Sequence, residues 1–217
     1  MLYIIATPIG NLEDITLRAI RTLKEADLIL AEDTRTTGKL LKKYEIKTPM
    51  KSFHHHSSTD KIDWVVGELK NECNIALVTD AGTPGIADPA GHLVEAVQKA
   101  GLKVTPIPGS SSITALLSVA GINTDRFIFV GFLPKKKGRQ TLFKSLENFD
   151  MPIVIFESPM RVSKTLKDIE NYLGNREVII GRELTKLYEE ILRMKISEAI
   201  AHFATKKPKG EFVIIVH

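Results

Sequence analysis

Two rhythms of apolar residues alternate along the first half of the chain. Residues 2–6, 27–31, 75–78 and 102–107 read as strands, and the unbroken apolar run at 75–78 reads as a buried one. Between them, apolar positions three and four apart read as helices. These carry Leu17, Ile20 and Leu23, then Leu40 and Leu41, then Ile62, Val65, Val66 and Leu69, then Leu93, Val94, Val97 and Ala100. A further helix follows over Ile113, Leu116, Leu117 and Ala120. Strand–helix alternation of this kind predicts a mainly parallel sheet. The alternation pauses at Gly121-Ile122-Asn123-Thr124-Asp125, which places a domain boundary there, with domains 1–121 and 122–217. Beyond it, strands are expected at 127–130, 152–156, 177–180, 188–194 and 212–216, and helices at 138–147, 159–173 and 197–205. The successive strands near the end predict a mixed sheet. The fold class is α/β in two domains.

The turns at the strand ends are unusually structured. After Ile75-Ala76-Leu77-Val78 comes Thr79-Asp80-Ala81-Gly82-Thr83-Pro84-Gly85-Ile86-Ala87-Asp88-Pro89, in which Asp88 reads as an N-cap and Pro89 as a first helical residue. Residues 7–11, 32–37 and 108–112 form comparable turns, and 52–58 reads as a polar loop. In the second half the candidates are 131–134, 157–159, 182–186 and 209–211. Open α/β sheets bind ligands outside the carboxyl ends of their strands, and two such domains joined by a short segment bind them in the interdomain cleft.

Composition narrows the chemistry. The 217 residues are 43% hydrophobic and 26% charged, with a formal charge of +4, which permits a nucleic-acid partner without requiring one. The apolar runs are far short of a membrane span, and the chain opens on a strand-like run rather than a signal peptide, so no membrane association and a cytoplasmic location are expected. The single cysteine, Cys73, excludes an internal disulfide and a cysteine-based zinc set. His54-His55-His56 has no accompanying cysteine or carboxylate cluster, and no metal is expected. Neither a phosphate-binding G-x-x-x-x-G-K-[ST] loop nor a G-x-G-x-x-G turn is present, which argues against a triphosphate or a Rossmann-bound dinucleotide. A ligand with a carboxylate, an amine, an adenine and a cation suits the mixture of backbone and carboxylate groups better.

Five stretches carry a resemblance. Residues 2–16 (LYIIATPIGNLEDIT), 31–37 (AEDTRTT), 78–84 (VTDAGTP), 131–134 (GFLP) and 182–186 (RELTK) resemble, in this order, the small-subunit ribosomal RNA methyltransferase I family of the tetrapyrrole methylase superfamily. The resemblance runs from residue 2 to about 216. It implies a two-domain homodimer that moves a methyl group from S-adenosylmethionine to the ribose 2′-hydroxyl of a cytidine in small-subunit (16S) rRNA, acting on the RNA or the 30S subunit. Alternatives are the same chemistry on a tetrapyrrole or corrin precursor, and a non-catalytic RNA- or ligand-binding module on the same fold.

Carried onto this sequence, the family pattern puts Pro8, Asp80, Ala81, Gly82, Thr83, Ile86, Ser111, Ser112 and Ile113 at the cofactor, with Phe132, Glu157, Leu184, Pro208 and Gly210 on its far side. A general base for the hydroxyl would come from Glu32, Asp33 or Glu183, and no sequence argument selects among them. The other reading of Glu32, Asp33 and Arg35 is a helix cap with a local salt bridge. Arg35, Arg161, Arg182 and Lys186 are candidate phosphate or ribose contacts, as are Lys135, Lys136, Lys137 and Arg139; Lys206-Lys207-Pro208-Lys209 adds basic character. The chain departs from the family pattern at Ser57-Ser58, Ser110 and Met160.

Overall fold

Four of the five strands in the first unit lie within the expected stretches, and three of them are apolar runs because a strand covered on both faces needs no polar alternation. The computed structural model describes residues 1–54, 59–88, 90–205 and 208–217. The readings placed on His55, His56, Ser57, Ser58, Pro89, Lys206 and Lys207 lie outside these residues. The chain divides into two units, Met1–Ser111 and Ser112–His217.

In the first unit, β1 (Leu2–Ile5), β2 (Leu28–Ala31), β3 (Met50–Ser52), β4 (Ile75–Val78) and β5 (Val104–Ile107) form one sheet in the order β3-β2-β4-β1-β5. Every pairing is parallel. Helices α1 (Leu17–Glu25) and α2 (Thr34–Lys43) build one core with Ile5, Ile29, Ala76 and Val78. On the other face, α3 (Thr59–Lys70) and α4 (Ala90–Lys99) close over Leu2, Ile4, Leu30 and Leu77. Two local expectations change. Leu17 is 86% exposed, and α1 instead buries Ala19, Thr22 and Leu23. Thr16 caps α1 through the Ala19 N–H, so Leu17 is its first residue and lies across the helix from Ala19 and Leu23. Ser52, expected in a loop, ends β3, whose pairing with β2 supplies the strand that its polar, exposed residues do not announce.

The second unit starts with α5 (Ser112–Val119). It continues through β6 (Ile128–Phe132), α6 (Arg139–Leu146), β7 (Ile153–Glu157), α7 (Val162–Leu173), β8 (Glu177–Arg182), β9 (Glu190–Lys195), α8 (Ile196–Thr205) and β10 (Phe212–Val216). The sheet order is β6-β7-β10-β8-β9, with only β6 and β7 parallel, so the sheet is mixed. Helices α6, α7 and α8 share one core, and Val162, Leu166, Ile169 and Leu173 of α7 are all buried in it. Across the sheet α5 lies so close to β8 that a Cβ at Gly181 would stand 2.9 Å from Leu116 Cδ1. Tyr188, expected in a strand, is 69% exposed and precedes β9 in a turn closed by the Glu189 N–H on the Lys186 carbonyl. Likewise α7 begins at Val162, after a turn from Ser158 to Arg161, and not at Pro159.

Candidate functional site: two loop-bearing sheet edges

Because its strands are parallel, the first unit carries the loops after β1, β2, β4 and β5 on one edge. Thr7 and Gly82 exchange main-chain hydrogen bonds at 2.9 and 3.1 Å, and the Thr7 hydroxyl donates to the Thr79 carbonyl at 3.0 Å. Gly82 has a φ of +79°, a left-handed conformation that glycine adopts at no steric cost. The loop after β5 comes nearly as close: a Cβ at Gly109 would lie 3.0 Å from that of Ala6. Pro8 is buried beneath these turns, and Ile86 is 48% exposed. Asp88 accepts the Gly85 and Ala90 N–H groups, each at 2.8 Å, and so pins the far end of the central loop.

Carboxylates from two strand ends interlock here. Glu32 Oε2 accepts the Thr79 hydroxyl and, at 3.3 Å, the Asp80 N–H. Asp80 Oδ1 in turn accepts the Asp33 N–H at 3.1 Å. Asp33 caps α2 through the Arg35 N–H at 2.8 Å and holds the Arg35 guanidinium at 2.6 Å. The cap with a local salt bridge is therefore what forms at Asp33 and Arg35. Hydrogen bonds from the Arg35 guanidinium and from its main-chain N–H hold the Asp33 carboxyl at about 2, down from 3.8. Burial pushes the Asp80 carboxyl the other way; the Asp33 N–H and Arg35 oppose this, but the neighbouring Glu32 and Asp33 charges add to it. Three carboxylates stand against one guanidinium, and Asp80 would be relieved by a cation beside it. A positively charged ligand with amide-like edges fits this donor and acceptor set.

The sign of the Asp33 shift fixes a pH dependence. A lowered carboxylate contributes stability that is complete above its ordinary value and is lost as pH falls through the folded one. The start of α2 is expected to stay capped above about pH 4 and to fray as the pH falls from 3.8 to about 2. NMR titration of the Arg35 amide checks this; a midpoint near 3.8 would mean that the cap contributes nothing.

In the second unit the carboxyl ends of β6, β7 and β8 and the start of β10 share an edge. A register shift between Phe129 and Gly131, whose φ is +63°, leaves Phe132 54% exposed. Glu157, at the end of β7, has a wholly buried side chain. It accepts the Ser158 N–H at 2.8 Å, the Thr165 hydroxyl at 2.6 Å and Arg161 Nε at 3.0 Å. The 182–186 loop contains two non-glycine residues in left-handed conformations, Glu183 (φ 49°) and Thr185 (φ 66°). Glu183 Oε1 accepts the Glu211 N–H at 2.9 Å and Lys186 Nζ at 3.0 Å, while Lys186 also reaches Glu211 Oε2 at 2.9 Å. Burial raises the Glu183 carboxyl, but the Glu211 N–H, Lys186 and Arg182 together outweigh it and hold the group below its ordinary value. Arg182 donates to the Lys209 carbonyl at 2.7 Å and pairs with Glu190 at 3.3 Å.

The structure brings Glu32, Asp33, Asp80, Ala81, Gly82 and Thr83 together in the first unit, with Arg35 exposed beside them. Ser111 ends that unit, and Ser112 and Ile113 form the first turn of α5. In the second unit Phe132, Glu157, Arg161, Arg182, Glu183, Lys186, Pro208 and Gly210 share the edge, and Leu184 is buried behind it. Lys135, Lys136 and Lys137 are exposed in the turn after β6. Arg139 is a correction: expected to meet phosphates, it is only 6% exposed. Its guanidinium is taken up by Asp168, Thr165 and the Pro134 carbonyl. No sequence signal marks Thr165 or Asp168, and Thr7, Thr79 and Glu211 stand out only as members of candidate loops, because the roles of these residues depend on partners distant in the chain. Among the described residues no cluster of histidine, cysteine and acidic side chains is placed to hold a metal, and no helix is long and apolar enough to cross a membrane.

Residues 1–200 match the family model for Tetrapyrrole (Corrin/Porphyrin) Methylases. A protein of Thermotoga maritima called ribosomal RNA small subunit methyltransferase I is 50% identical over 215 residues, covering 99% of this chain and 97% of that protein. A Synechocystis protein of the same name is 46% identical, over 100% of this chain and 78% of its own length. Among solved structures, uroporphyrin-III C-methyl transferase from Thermus thermophilus, complexed with S-adenyl homocysteine, superposes with a TM-score of 0.69 at 18% identity, covering 99% of this chain and 96% of that one. The shared fold and the full-length identity agree: the chain belongs to the ribosomal RNA small subunit methyltransferase I family of the tetrapyrrole methylases.

Proposed function

We propose that this protein transfers a methyl group from S-adenosylmethionine to the ribose 2′-hydroxyl of a cytidine in small-subunit ribosomal RNA, working as a homodimer in the cytoplasm. The observation that carries this reading is the Asp80 carboxylate, raised by burial and by two acidic neighbours on a glycine-bent edge, in a chain half identical to a ribosomal RNA methyltransferase.

S-adenosylmethionine brings an activated methyl on a sulfonium, so the protein's task is to bind and orient. In the first unit Asp80, Ala81, Gly82, Thr83 and Ile86 offer backbone groups and one carboxylate to it, with Pro8 as a rigid floor and Ser111 at the loop after β5. In the second, Ser112 and Ile113 present the start of α5, and Phe132, Pro208 and Gly210 present an aromatic edge and an open backbone. The side chains of Glu157 and Leu184 are buried, so these two act through their main chains. Holding a donor and an acceptor in line supplies on the order of 7–11 kcal/mol of barrier reduction.

Asp33 and Glu183 are both held low, which makes them weak proton acceptors at neutral pH. Glu32 already accepts two hydrogen bonds. These three therefore serve first to fix their loops. Lys135, Lys136, Lys137 and Arg35 are exposed and meet phosphates, giving salt-sensitive affinity with little sequence choice.

The test is labelled S-adenosylmethionine with small subunits from a strain lacking the modification. Label is expected in nuclease-resistant ribose, and its absence there would overturn the reading. Asp80→Ala is expected to weaken S-adenosylhomocysteine binding by at least roughly tenfold, the loss of one charged contact, with unchanged circular dichroism. Equal affinity would remove the first-unit edge from the site.

A further inference from the structure

The turn after β6 is held by more ionic machinery than a turn needs. Arg139 opens α6, yet its guanidinium runs inward and spends every branch on a partner. Nε reaches Asp168 Oδ2 at 2.7 Å, Nη2 the Thr165 hydroxyl at 2.8 Å and Nη1 the Pro134 carbonyl at 3.2 Å. The Thr165 hydroxyl, with 0% exposure, in turn donates a hydrogen bond to Glu157 Oε2 at 2.6 Å. Glu157 also holds Arg161, whose Nη2 reaches the Leu133 carbonyl at 2.5 Å. Two consecutive carbonyls, Leu133 and Pro134, are thus gripped by two guanidinium groups from different helical ends. A single hydroxyl ties the grips together, accepting from one arginine and donating to the carboxylate that holds the other.

Burying such a network is expensive, and an apolar cluster of the same volume would serve stability as well or better. What the ionic version supplies is direction: each bond fixes an orientation as well as a distance. The segment it directs is the one that leaves β6 through the Gly131 irregularity and turns Phe132 outward, its ring against Phe156 at 5.6 Å. The other end of the network is Glu157 itself, the last residue of β7 on the same edge.

We infer that Thr165, with Arg139 and Asp168 behind it, is a positioning residue for the cofactor. It sets the backbone at 131–134, and with it the Phe132 edge, without touching the ligand. The inference rests on the proposed reading that this edge meets S-adenosylmethionine. Neither Thr165 nor Asp168 carries a signal of this role in the sequence, since each reads as an ordinary residue of an amphipathic helix.

The test uses the full chain, with S-adenosylhomocysteine as the titrant in calorimetry, well below the melting temperature of each variant. Thr165→Val keeps the shape but removes the donor to Glu157 and the acceptor for Arg139. It is expected to weaken binding roughly ten- to hundredfold, as small misplacements at a remote support do, and to raise the KM for S-adenosylmethionine more than it lowers kcat. Thr165→Ser, which retains the hydroxyl, is expected to restore affinity to within about twofold of the parent. Faster amide exchange at Phe132 in the valine variant, reversed in the serine variant, accompanies this. If Thr165→Val melts lower yet binds the titrant as tightly as the parent, the network is structural only and the inference falls while the proposed function stands. If the unmodified chain itself gives no binding heat, the reading of the edge as a cofactor site fails, and the inference fails with it.

Discussion

Glu157→Ala is expected to destabilise the second unit by about 3–5 kcal/mol, the cost of removing one partner from a buried ion pair. The carboxylate has 0% side-chain exposure, while Arg161 has 23%, so truncation strands a largely buried guanidinium. It also leaves the Thr165 hydroxyl and the Ser158 N–H without their acceptor. Glu157→Gln keeps the volume and one acceptor oxygen, and its expected cost is only about 1.5–3 kcal/mol, the range for a hydrogen bond to a charged group. Hydrogen exchange at the α7 amides, read across a denaturant series, measures both losses in the unit concerned. Equal stability of the parent and the alanine variant would mean that water satisfies the arginine after truncation, and would take away the structural basis for treating Glu157 as the hub of its edge.

How much of this was legible beforehand depends on whether a residue's partner lies next to it in the chain. Strands β1, β2, β4 and β10 stand out because burial on both faces leaves an unbroken apolar run, and the bounds of β10 coincide with the expected 212–216. The edge strand β3 is invisible by the same logic: its only apolar residue is Met50, and pairing with β2 does the rest. Leu17 looks like a core residue until the Thr16 cap sets where the helix begins. At the site, Asp33 and Arg35 are two residues apart, and their cap could be read directly. Arg139 lies 29 residues from Asp168, and a sequence shows only a basic residue after three lysines. The left-handed Glu183 and Thr185 could not be foreseen either, since neither residue type favours that region; their conformations are imposed by hydrogen bonds to Glu211 and Glu189. Backbone strain of this kind collects where a loop must present particular groups. Two such residues in one five-residue loop support the role proposed for the 182–186 segment.

The same segment makes Gly210→Ala the second large effect. Gly210 has a φ of +87°, so any side chain there costs about 1–2 kcal/mol before contacts are counted. A Cβ would also fall onto Glu183 Cγ and Cδ and come within 2.6 Å of its Oε1. Backbone on both sides is tied down, the Glu183 N–H donating to the Glu211 carbonyl at 3.0 Å, so the side chain must leave. Leaving breaks its bonds to the Glu211 N–H and to Lys186, and overpacking of this kind costs a further ~1–3 kcal/mol. The expected total is about 2–5 kcal/mol, with methyl transfer falling by at least roughly tenfold because the loop that carries Arg182 and Lys186 loses its anchor. A double-mutant cycle separates the causes. In a Glu183→Ala background the clash is gone, and Gly210→Ala is expected to cost only the backbone strain of about 1–2 kcal/mol. If the alanine costs the same in both backgrounds, Glu183 does not fill the space over Gly210 in solution, and the interlocked geometry of this edge has to be redrawn.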